Sequence, residues 1–156
     1  MKVGQAIRDG LMGALVVLGV LSIGGLMNTL RQGQMPMEWQ VAYVLGHIGT
    51  YLTMLAIFFI AYGLFGLWYA ACFEKIVRDS GPAWGMLFAL PHAVFAGFII
   101  GFLPAVGLWP GLTTPGPGII FMGAFFSGPF IWLFAHFGYG IMMGLLYKPN
   151  ATPRLG

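Results

Sequence analysis

Three histidines, His47, His92 and His136, are the side chains of this sequence best suited to hold a metal or pass a proton, and each falls in a long apolar run. A neutral imidazole can ligate the metal of a haem or chlorin through one ring nitrogen while the other takes a hydrogen bond. It can equally donate to a carbonyl on the next helix, and Pro91, beside His92, frees such a carbonyl. A path for protons or a polar substrate is the third chemistry open to it.

Other reactive residues narrow the field. Asp9, Glu38, Glu74 and Asp79 all fall at expected span boundaries or loops, which argues against a carboxylate relay, a voltage sensor or a carboxylate-bridged metal pair. Ser22 and Ser127 lack an acid to orient a His–Ser pair, and neither G-x-S-x-G nor a zinc-protease motif occurs. Cys72 is the sole cysteine, so an internal disulfide and a cysteine-based metal cluster are excluded, and it reads as a small apolar filler. Met142 and Met143 are adjacent, so they point to different helix faces and read as filler rather than soft-metal ligands. The balance points away from an enzyme.

The elements that must position these histidines are long apolar helices. Only 7% of the 156 residues are charged and 59% are hydrophobic, too few charges to cover a water-soluble surface, and the mean hydropathy is +0.87. Four spans are predicted, at about 10–30, 41–73, 83–109 and 118–147, in one domain covering 1–156. Lys2, Arg8, Lys75, Arg78, Lys148 and Arg154 fall on one side of these spans and only Arg31 on the other, which predicts both termini in the cytoplasm. The first apolar stretch is too long for a secretory signal and no A-x-A site follows, so it reads as an uncleaved helix. No basic run with interleaved aromatics occurs, so nucleic acid is not an expected partner.

In lipid, helices approach through small residues. The third span places Gly85, Ala89, Ala93, Gly97 and Gly101 at strict four-residue spacing. The fourth carries Gly140 and Gly144, with His136 on the same face. Facing stripes predict a tight antiparallel hairpin of spans three and four. His92 lies about nine residues, or ~13 Å, from the charged end of its span, and His136 about eleven, or ~16 Å, from the same end of its own. The two should therefore lie at similar depth, with His47 near the opposite surface.

The pattern His136-x-x-Tyr139-Gly140-x-x-x-Gly144-x-x-Tyr147, preceded by the turn "PGLTTPGPG", is similar to the C-terminal helix of small four-helix inner-membrane proteins of unknown function. The resemblance covers the last third of the chain and implies a small bundle ending in a helical hairpin, with no activity attached. The expected architecture is an all-α, four-helix bundle in the bacterial inner membrane. The leading expectation for function is a non-catalytic accessory subunit that packs against other integral membrane proteins. A haem- or chlorin-binding subunit using His92 and His136 is the alternative, and a small homo-oligomeric channel or transporter the third reading.

Overall fold

The computed structural model describes residues 1–32, 45–46, 48–102 and 127–150. Among the described residues the chain is all-helical: α1 (Val3–Gln32), α2 (Ile48–Cys72) continuing into one π-helical turn (Phe73–Val77), α3 (Pro82–Phe102) and α4 (Ser127–Leu146). Two stretches, Val3–Val20 and Leu55–Val77, are long and apolar enough to cross a membrane, and Pro82–Phe98 and Phe130–Leu146 are shorter apolar helices. His47 and the Pro/Gly-rich turn before α4 lie outside the described residues.

Helix α1 begins at Val3, seven residues before the start expected from hydropathy. Gln5, Arg8 and Asp9 are polar but tolerated in a helix, so hydropathy marks where apolar character starts rather than where the helix does. This also moves Asp9. It was expected at a boundary, yet it sits inside α1, 1% exposed, with Oδ1 accepting from Arg8 Nε at 3.0 Å and Nη2 at 2.8 Å. The turn after α2 ends at Arg78, the one non-glycine residue with positive φ (57°) among the described residues. Pro82 then opens α3, where its missing N–H is no loss.

The bundle is two backbone-to-backbone pairs laid against each other. In the α3–α4 pair, a Cβ on Gly85 would strike the carbonyl of Gly140, and one on Gly140 would strike the carbonyl of Gly85 and lie 3.1 Å from Ala89 Cβ. Gly144 faces Gly81 and Pro82, one turn before the predicted stripe begins, and the stripe makes its closest described approach to the α4 backbone at Gly85 and Ala89. From Ala93 onward Trp132 fills the interface, packed with Ala93 and Ala96, and its Nε1 donates to the Ala93 carbonyl at 2.9 Å. Gly97 is buried, and the surroundings of Gly101 lie outside the described side chains.

The α1–α2 pair is joined the same way. A Cβ on Gly66 would strike the Ala6 carbonyl and lie 3.0 Å from the Gly10 Cα. Between the two pairs, α1 meets α4 across the groove left by Gly10 and Gly13, in which the ring of Tyr139 lies; a Cβ at Gly13 would sit 2.6 Å from Tyr139 Cδ2. Helices α2 and α3 touch little by backbone, and aromatic side chains fill the gap. The outside of the bundle carries large apolar residues such as Ile60, Leu64, Phe95, Phe130 and Phe134, all more than half exposed.

One end gathers the N-terminus, the end of α4 and the α2–α3 connection. Glu74 Oε1 accepts from Tyr147 Oη at 2.9 Å and from the Asn150 amide at 3.0 Å, and lies 3.7 Å from the N-terminal ammonium. Gln5 Nε2 donates to the Leu146 carbonyl at 3.2 Å, satisfying an orphan acceptor at the end of α4. Glu74→Ala should cost about 1 kcal/mol, since the site is partly hydrated and the partners can turn to water. The readout is faster amide exchange at Asn150 with the α4 interior unchanged; unaltered exchange there would mean that Glu74 does not tie this end.

Candidate functional site

The centre of the bundle is a cluster of tyrosines and histidines drawn from α2, α3 and α4. Tyr62 and Tyr69 stand on α2 seven residues apart, two turns, so they point the same way. His92 comes from α3, His136 and Tyr139 from α4. All five are nearly or fully buried.

His92 and His136 meet. Their ring centroids are 4.8 Å apart with planes at 84°, an edge-to-face contact. The depth argument from sequence, with each histidine a similar number of residues from the same helix ends, places the two at one level and leaves open whether they touch. The rings touch directly, and this spacing leaves no room for a macrocycle between them.

The hydrogen bonds separate the two residues. His136 Nδ1 lies 2.8 Å from the Trp132 carbonyl, which can only accept, so Nδ1 carries the proton. His136 Nε2 is then an acceptor, and Tyr62 Oη, 3.0 Å away, donates to it. Both nitrogens of His136 are used. One of the readings open from sequence has each histidine donate to a carbonyl on the next helix. His136 instead donates to its own helix one turn back, and its link to another helix runs through a phenol. Tyr139 Oη donates to the Tyr62 carbonyl at 2.6 Å, tying α4 to α2 past α1.

His92 is different. Its Nδ1 lies 3.3 Å from Tyr69 Oη, and its buried Nε2 has no hydrogen-bond partner among the described residues. Phe65 lies flat on the imidazole, centroids 3.8 Å apart at 31°. Beside this stack a cleft of about 580 Å³ opens between α2 and α3. Ala61, Leu64, Phe65 and Trp68 form its α2 wall, and Pro91, His92 and Phe95 its α3 wall.

The sequence singles out His92, His136 and the α3–α4 glycines, gives Tyr139 only as part of the C-terminal pattern, and by itself assigns no site role to Tyr62 or Tyr69. The available signal was their spacing: Tyr62 and Tyr69 share a helical face, and Tyr139 stands one turn from His136. Buried tyrosines in an apolar helix need an acceptor, and the histidines are the polar side chains at hand. Among the described residues no group of three or more His, Cys, Asp and Glu side chains is placed to hold a metal ion. Comparison with protein-family models, curated proteins and solved structures finds no match to this chain, and the likeness of its last helix to small four-helix inner-membrane proteins has no counterpart there.

Proposed function

We propose that this chain is a small, non-catalytic integral-membrane subunit, four helices crossing the bilayer with both termini in the cytoplasm, which works by packing against other membrane proteins. One observation carries the reading: among the described residues the histidines and tyrosines at the centre of the bundle turn inward onto one another, while large apolar side chains are exposed on every helix. His136, Tyr62, Tyr139 and Trp132 close their bonds within the fold, as buried polar groups in lipid must. Among the described residues neither histidine has a carboxylate partner to set it up as a general base, so the site supports binding better than catalysis. The gathering of the N-terminus, the end of α4 and the α2–α3 connection at one end supports a common side for Lys2, Arg8, Lys75, Arg78 and Lys148.

Two measurements test it. With Cys72 replaced by alanine, a thiol reagent added outside intact cells should label a cysteine at Thr113 and not one at Asp79; the opposite pattern inverts the topology. Purified in mild detergent from its native membrane, the chain should carry other integral membrane proteins at fixed stoichiometry. A chain that purifies alone would sink the subunit reading, and selective solute flux through liposomes holding only this protein would replace it with a channel.

A further inference from the structure

We propose that the cleft between α2 and α3 binds a membrane-soluble carbonyl compound of the quinone class, held by a hydrogen bond from His92 Nε2–H to a ring carbonyl oxygen. The inference starts from proton accounting. Tyr69 and neutral His92 bring one polar hydrogen each to a pair joined at Nδ1 and Oη. If Tyr69 donates to Nδ1, the imidazole proton sits on Nε2 and one donor is left without a partner. If Nδ1–H donates to Tyr69 instead, the phenol hydrogen and the Nε2 lone pair are both stranded. Burying an unpaired polar group is costly, so the first arrangement holds. It leaves an N–H donor in a dry interior, and that donor asks for an acceptor.

The cleft says what kind of acceptor. At about 580 Å³ it falls in the range of small-molecule sites. Its walls are apolar or aromatic, and the only ring N–H groups among its lining residues belong to His92 and Trp68. Flat aromatic walls with N–H donors suit a flat apolar ring that carries acceptor oxygens and no charge. Metal ligation by Nε2 would need the costlier tautomer, with the Tyr69 hydrogen stranded.

Depth separates the sources of a carbonyl, and here the argument rests on the membrane-spanning reading above. His92 is ten residues into α3, about 15 Å from its first residue, which is half the thickness of a ~30 Å hydrocarbon core. Phospholipid ester carbonyls stay at the interface and do not reach that level. A lipophilic ring does. Nε2 itself is fully buried, so the ligand engages it only when side chains of the cleft wall shift.

The test uses the full chain in phosphatidylcholine nanodiscs, titrated with a decyl-substituted benzoquinone and followed by tryptophan fluorescence and the infrared carbonyl stretch of the bound quinone. Saturable quenching and a lowered carbonyl frequency are expected. His92→Phe should weaken binding about tenfold, the scale of one buried hydrogen bond, and abolish the frequency shift. Leu64→Trp fills the cleft from its exposed wall without touching His92, and should weaken binding at least as much with the thermal transition retained; it decides the matter if His92→Phe fails to fold. Decylbenzene, which has no carbonyl, should bind at least tenfold more weakly.

Absence of saturable quenching in the folded wild type overturns the proposal, as does equal affinity for quinone and decylbenzene or wild-type binding by Leu64→Trp. A Soret or chlorin band in native material that is lost in His92→Phe would assign Nε2 to a metal and overturn it equally. Incorporation into the nanodisc is scored separately, so failure of the site and failure of the membrane reading give different results.

Discussion

Gly140→Ala, a change of one methyl group, should pry α3 from α4 and cost about 3 kcal/mol, the upper end for overpacking, because the obstacle is backbone rather than a side chain that can turn away. The new Cβ would strike the Gly85 carbonyl and crowd Ala89 Cβ at 3.1 Å. Gly85→Ala meets the Gly140 carbonyl in the same way and should cost as much. The sign is informative, since alanine is the better helix former by about 1 kcal/mol and would stabilise an unpacked helix. Gly19→Ala supplies the control: nothing lies within 4 Å of its Cβ position, so it should be neutral or slightly stabilising. Because both interface changes act on one contact, Gly85→Ala/Gly140→Ala should cost less than the sum of the two. Thermal unfolding in detergent reads all four variants, and if Gly140→Ala melts with Gly19→Ala, the close approach of α3 and α4 is wrong.

The same contacts show how far periodicity can be read. Helices and their apolar character were legible because long uncharged runs admit few other structures. The α3–α4 pair was legible because Gly85 and Ala89 recur every four residues opposite Gly140, so a face can be drawn without coordinates. The α1–α2 pair was not, although Gly66 is pressed as hard against Ala6. Gly66 on α2 meets Ala6 and Gly10 on α1, and Gly10 meets the Tyr62 carbonyl, but these few contacts set up no four-residue repeat along either helix. Gly13 was opaque for a different reason: it makes room for the ring of Tyr139, and a side chain from another helix leaves no mark on the pattern of α1.

The site divides along similar lines. Equal distances from the helix ends were enough to bring His92 and His136 to one level. Their partners turn on rotamers and on which lone pairs remain, which spacing does not carry. Asp9 shows the limit of hydropathy, since a charged residue beside the apolar run looks like a boundary even when the helix began two turns earlier and buries it.

His136→Leu should cost about 3 kcal/mol, chiefly because the phenol of Tyr62 is left buried without its acceptor, and an orphaned buried polar group costs about 1–3 kcal/mol beyond the packing change. The Trp132 carbonyl suffers less, because it remains within reach of the helix N–H one turn on. Tyr62→Phe should cost about 1–2 kcal/mol by stranding His136 Nε2 instead. Removing both polar groups removes both penalties, so Tyr62→Phe/His136→Leu should be more stable than additivity predicts by about 1–2 kcal/mol. Additive costs would mean that the 3.0 Å contact is not a bond that the folded chain depends on. The parallel change at His92 has a different expected balance. His92→Phe also strands a buried phenol, that of Tyr69, but the bond it loses is the longer one at 3.3 Å, an aromatic ring stays packed on Phe65, and an N–H that had no partner is removed. It should therefore cost less than His136→Leu, although the two rings touch and are buried alike. Two histidines 4.8 Å apart would then separate by role, with stability lost at His136 and ligand binding lost at His92. That separation follows from which of the four ring nitrogens is left over.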